Sequence, residues 1–126
     1  MPLVEITLRA GKSPEYVRSV ADGVHEALVA QANVPRDDRF QIVHQVDDMS
    51  LIAHPSYGGV NRSSDVIIIK ITLNAGRSVE TKKNLYADIA RRLEEGADVR
   101  PDDVMICLIE VTKENWSFGG GRATYA

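Results

Sequence analysis

The chain has 126 residues, 44% hydrophobic and 26% charged, with a formal net charge of −3 at pH 7, enough for one domain with a real core and ordinary for a soluble protein. The acidic balance and the lack of any basic block argue against nucleic acid as a partner, and the longest apolar run, Val66 to Ile69, is far too short to span a membrane. A single cysteine, Cys107, excludes a disulfide framework, and the N-terminus carries no signal-peptide pattern, so a reducing cytoplasm is the expected location.

The first predicted element is a strand over residues 2–9, opening with Pro2-Leu3-Val4-Glu5-Ile6. A small second residue permits removal of Met1, after which Pro2 would carry a free secondary amine. Such a group is a base when neutral, an acid when protonated and a nucleophile toward carbonyls. The plainer alternative is a proline that merely begins a strand, where the missing N–H costs nothing. Gly11 then permits a turn, Ser13 is placed to cap a helix, and Pro14 suits its first position. Val17, Val20, Ala21, Val24, Ala27 and Leu28 recur at helical spacing, and Val34-Pro35 ends the helical region. From Arg39 to Val46 the pattern alternates, with Phe40, Ile42, His44 and Val46 on one side of a strand.

Residues 47–64 read as a link, with Pro55 and Gly58-Gly59 as turn signals. A second strand–helix–strand set follows, with a strand over residues 65–73, a helix capped by Ser78 with Leu85, Ile89 and Leu93 inward, and a last strand over 103–111. A Gly-rich tail, 112–126, closes the chain.

The two sets are related. Ile6 to Glu15 matches Ile71 to Glu80 at seven of ten positions, an offset of 65 that also pairs Leu28 with Leu93 and Asp37-Asp38 with Asp102-Asp103. One domain, 1–126, built from repeats 2–61 and 67–126, is therefore expected. Each β-α-β unit should hold its two strands parallel. The fold class is α+β, a four-stranded mixed sheet with two helices on one face. Val66-Ile67-Ile68-Ile69 is apolar without alternation, as in a strand covered on both faces, so the second face calls for another subunit. Cys107 reads as core, and His25, His44 and His54 lack metal-ligand spacing.

A strand opening with Pro2, followed by Ala-Gly-Lys/Arg-Ser before each helix, resembles the tautomerase superfamily. The tandem length, with Val34-Pro35-Arg36-Asp37-Asp38-Arg39-Phe40-Gln41, Asn61-Arg62-Ser63-Ser64-Asp65, Ala75-Gly76-Arg77-Ser78 and Trp116-Ser117-Phe118-Gly119, is similar to its malonate semialdehyde decarboxylase-like branch. The resemblance implies a cytoplasmic homotrimer that acts on small oxo acids without a cofactor. It implies that Pro2 is the catalytic proline, Asp38 a catalytic aspartate, Arg77 a catalytic and substrate-binding arginine, and Trp116 and Phe118 the pocket wall. One departure stands out. Some decarboxylases of the branch carry a second arginine after the third strand, where this chain reads Leu73-Asn74-Ala75-Gly76.

These residue types suit the chemistry. Loss of carbon dioxide from a 3-oxo acid leaves an enolate, whose charge a protonated Pro2 could stabilise, or a neutral Pro2 could form an iminium instead. The planar fork of Arg77 suits a carboxylate, and Asp38 could orient water or keep Pro2 protonated. The same parts would serve keto–enol tautomerisation of an enolpyruvate-type substrate if Pro2 is neutral, which an apolar wall of Trp116 and Phe118 would favour. A third reading is a non-catalytic interaction protein that keeps the fold and a blocked Pro2.

Overall fold

A computed structural model describes residues 1–125. Its elements run β1 (Pro2–Arg9), α1 (Pro14–Gln31), β2 (Gln41–Val46), β3 (Ile67–Asn74), α2 (Val79–Ala97) and β4 (Val104–Val111). The predicted β2, β3 and β4 each begin one or two residues late, Asp65 lying in a turn before β3 and Asp103 in a 3-10 turn before β4. Ser13 and Ser78 both cap their helices, accepting from the N–H of Tyr16 and of Thr81, each at 3.1 Å. Gly11 and Gly76, at φ of 108° and 124°, make the strand-to-helix turns that other residues would resist.

The four strands form one sheet in the order β2-β1-β3-β4. β1 runs parallel to β2, β3 parallel to β4, and the two central strands are antiparallel, with Pro2 opposite Leu73. Both helices cover the same face. Val4, Ile6 and Leu8 of β1 and Ile67, Ile69, Ile71 and Leu73 of β3 are buried in one core with Val20, Val24 and Leu28 of α1 and Leu85, Ile89 and Leu93 of α2. Burying one such side chain is worth roughly 1.5–3 kcal/mol, so this layer is the main source of stability.

The other face of the sheet is uncovered in the single chain. The alternation foreseen in β2 is present, but Ile42 and His44 point to this open face, and Val43 packs toward the core. Met105 and Ile109 also lie exposed. Polar contacts cross it, with Glu5 Oε1 3.2 Å from His44 Nε2 and Glu5 Oε2 3.7 Å from Lys70 Nζ. Cys107 is corrected from core to this exposed face, since its neighbours Ile106 and Leu108 take the inward positions of β4. No helix among the described residues is long and apolar enough to cross a membrane.

Candidate active site

The sheet order gathers distant residues around Pro2. Because β2 is parallel to β1, the segment before β2 lies beside the start of β1, and Phe40 O accepts from Val4 N at 2.9 Å. Because β3 is antiparallel to β1, the end of β3 lies on the other side, at Leu73 and Asn74. β4 ends beside β3, with Val111 opposite Asn74, and leads into Trp116. Asp38 before β2, Asn74 and Arg77 at the end of β3, and Trp116 after β4 thus come from three segments and meet at one end of the sheet.

Asp38 meets the chain terminus directly. Its Oδ2 lies 3.2 Å from the ammonium nitrogen of Met1, whose side chain is only 6% exposed. Pro2 itself is buried beneath it. With Met1 in place the proline nitrogen is an amide, and the terminal cation that faces Asp38 is the amine of Met1.

Arg77 precedes the Ser78 cap of α2 and is held by backbone oxygens. Nε and Nη2 donate to Ala32 O at 3.1 and 2.9 Å, and Nη1 donates to Asn74 O at 3.1 Å. Ala32 is the C-cap of α1, so its carbonyl is one that the helix leaves without a partner, at the negative end of the helix dipole. Arg77 therefore has a structural duty that its sequence position did not disclose. Three of its five N–H groups are engaged this way, leaving two for another acceptor. Among the described residues no carboxylate lies within ion-pair distance of it. Nearby, Lys82 Nζ pairs with Glu110 Oε1 at 2.9 Å. That hydrogen bond, with smaller help from the Gly76 N–H and the charge of Arg77, holds the Glu110 carboxyl below its usual range.

Trp116 and Phe118 come together, their ring centroids 6.3 Å apart and edge-on at 60°. Phe118 also stacks with Phe40 at 6.5 Å and meets Tyr125 edge-on at 5.2 Å. The Trp116 indole N–H donates to Asn74 Oδ1 at 2.7 Å. Phe40, Phe118 and Tyr125 remain 48%, 44% and 43% exposed, so this aromatic wall is open on one side in the single chain. A separate cleft of about 460 Å³ between α1 and β2, lined by Lys12, Arg18, Gln41 and Val43, contains none of the residues singled out from the sequence.

Three participants went unassigned in the sequence. Phe40 was visible as one apolar residue of an alternating strand and within the stretch that carries the resemblance, without a role of its own, and Tyr125 offered no spacing to place it. Asn74 lies within the Leu73-Asn74-Ala75-Gly76 stretch that lacks an arginine, and its backbone and side-chain carbonyls accept from Arg77 and Trp116.

The comparisons with known proteins bear on this geometry. A family model described as "Tautomerase enzyme" matches residues 38–119, and a second of the same description matches residues 2–61. The chain belongs to the tautomerase superfamily. Within it, the chain is of the malonate semialdehyde decarboxylase-like branch. It is 40% identical to the FG41 malonate semialdehyde decarboxylase inhibited by 3-bromopropiolate, with a TM-score of 0.91 over 98% of this chain and 93% of that one. It is also 39% identical to the probable tautomerase YusQ of Bacillus subtilis (strain 168), over 98% of this chain and 97% of that protein. A fused 4-OT wild-type symmetric trimer shares the fold, with a TM-score of 0.80 at 19% identity and coverage of 98% and 97%. This tautomerase-superfamily chain is accordingly an enzyme of that group, and its two-helix, four-stranded architecture is the group's fold.

Proposed function

We propose that the protein is a cofactor-independent enzyme that uses the amine of Pro2, freed by removal of Met1, to decarboxylate malonate semialdehyde or a similar 3-oxo acid. The observation that carries this reading is Asp38, which holds the terminal ammonium at 3.2 Å at the end of the sheet where Arg77 is also placed. On this reading the substrate carboxylate takes the two remaining N–H groups of Arg77. Protonated Pro2 donates to the substrate carbonyl oxygen. The bond between the carboxylate carbon and its neighbour breaks, carbon dioxide leaves, and the electron pair is held as an enol or enolate until that carbon takes up a proton. Asp38 favours the protonated amine and can orient water. Trp116 and Phe118 limit solvent around the reacting carbonyl.

The second reading is keto–enol tautomerisation of an enolpyruvate-type substrate. It is favoured by the aromatic wall and by the absence from Leu73-Asn74-Ala75-Gly76 of the second arginine that some decarboxylases of the branch carry. Pro2 would then act as a neutral base. We further infer a cytoplasmic homotrimer whose neighbouring copies cover the open sheet face and the unfilled side of the aromatic wall. The exposed Ile42, Met105 and Ile109 support that assembly, as does the shared fold with a fused 4-OT trimer.

Purified protein should lack Met1 by intact mass and should decarboxylate malonate semialdehyde faster than it ketonises phenylenolpyruvate. The reverse order would replace the first reading with the second. Retained Met1, with neither activity, would favour a non-catalytic interaction protein.

A further inference from the structure

Asn74 is the last residue of β3, and its two oxygens serve two different neighbours. The backbone carbonyl accepts from Arg77 Nη1 at 3.1 Å, and the side-chain Oδ1 accepts from the Trp116 indole N–H at 2.7 Å. The indole nitrogen only donates, so the atom it meets on the amide must be the oxygen. Trp116 follows a short 3-10 turn, and its own backbone bond is local, to Lys113 O at 3.3 Å. Nothing in the regular structure of that tail sets the side chain's angles. Asn74, by contrast, is fixed in the sheet opposite Val111.

We propose that Asn74 is a positioning residue of the site, its side chain pinning the Trp116 indole and its backbone pinning Arg77, so that one strand end sets the spacing between aromatic wall and carboxylate-binding cation. The proposal rests on the reading above that Arg77 and Trp116 line the substrate pocket. A ring with an unpaired N–H would turn toward water, and the edge contact with Phe118 at 6.3 Å would be lost with it. An aspartate in this position would keep the acceptor but place a negative charge beside Arg77, in competition with an anionic substrate. A leucine would keep the bulk and remove the acceptor.

Trp116 is the single tryptophan of the chain, so tryptophan emission reports the surroundings of this one ring. Asn74→Leu should shift the emission to the red and lower its anisotropy, whereas Asn74→Asp should keep both at the wild-type values. Steady-state assays with malonate semialdehyde and with phenylenolpyruvate should give Asn74→Leu a KM roughly two- to tenfold higher, the worth of one hydrogen bond, with a smaller change in kcat. Asn74→Asp should raise KM as well, through its charge, while leaving the emission alone. In a Trp116→Phe background the Asn74→Leu change should add little to KM. Should Asn74→Leu fail to fold, Asn74→Ser, too short to reach the indole, takes its place in each measurement. Wild-type emission in the Leu or Ser variant, or a full additional KM effect without Trp116, would overturn the proposal. If the wild type turns over neither substrate, the functional reading falls, and the emission comparison still decides whether Asn74 fixes the indole.

Discussion

Asp38 Oδ2 and the ammonium of Met1 stand 3.2 Å apart, with the Asp38 side chain 19% exposed. The carboxylate is set against the cation that ends this chain, the amine of Met1. Removing Met1 transfers that cation to the Pro2 ring, one residue further along β1.

Replacing Asp38 tests this pairing. A neighbouring carboxylate favours the protonated amine, so Asp38→Asn should move the Pro2 titration to lower pH in the kcat/KM profile. The loss in kcat/KM should be about 100-fold if Asp38 also handles a proton or water. A pH–rate profile of Asp38→Asn that overlays the wild type would exclude the pairing from catalysis.

Arg77 should reveal two roles in one side chain. Arg77→Ala removes the donors to the Ala32 and Asn74 carbonyls, at a cost of about 1–2 kcal/mol measurable by urea unfolding. Arg77→Lys keeps the charge but not the fork, and should recover part of the stability while KM for the oxo acid stays raised. An Arg77→Ala variant that loses stability and keeps wild-type KM would confine Arg77 to capping α1.

Asp88 should contribute to the pH dependence of stability in acid. It lies on α2, 6% exposed, with Arg91 Nη2 at 2.5 Å, Arg92 Nε at 3.0 Å and Gln31 Nε2 of α1 at 3.3 Å. Burial alone would raise its pKa, but the hydrogen bonds from Arg92, Arg91 and Gln31 outweigh it and leave the carboxyl below its ordinary value. A folded pKa below the unfolded one means stability that is present above about pH 4 and is lost as pH falls through the folded value. Asp88→Asn should cost about 1–2 kcal/mol at pH 7 and flatten the fall in stability below pH 4. Equilibrium unfolding at pH 3 and pH 7 checks both; equal losses at the two pH values would refute the linkage.

The two helices approach closely at Gly23. A Cβ there would stand 2.8 Å from Leu93 Cδ1, on a fully buried side chain. Overpacking should outweigh the gain of about 1 kcal/mol in helix propensity, so Gly23→Ala should be destabilising by roughly 1–2 kcal/mol. Gly96 is the contrast, since its nearest contact would be Ser19 Cβ at 4.0 Å. Gly96→Ala should stabilise by about 0.5–1 kcal/mol. Thermal melts that rank the two variants in the opposite order would refute the packing argument.

Much of the fold was legible because it is local. The serines before both helices, the glycine turns and the inward stripes are written within a few residues of one another, and backbone geometry leaves few ways to satisfy them. The open sheet face was anticipated from the unbroken run Val66 to Ile69, yet its composition was not. Glu5, His44 and Lys70 share it with the exposed Ile42 and Met105, and Cys107 lies on it too. A run that reads as apolar along the chain says nothing about which neighbours a second strand will set beside it.

The sequence by itself determined the elements and their caps, because residue type and period are local properties, and its resemblance to the superfamily supplied the candidates Pro2, Asp38, Arg77, Trp116 and Phe118. Only the tertiary structure decided that these candidates share one end of the sheet. That convergence follows from the antiparallel pairing of β1 with β3, which places the end of one strand beside the start of the other. It also follows from β2 and β4 each lying parallel to a central strand. The duty of Arg77 toward the Ala32 carbonyl, and the bond of the Asn74 side chain to the Trp116 indole, belong to the same category. A hydrogen bond between residues forty apart in sequence has no local pattern to announce it, and exists because packing of the two helices on the sheet puts donor beside acceptor.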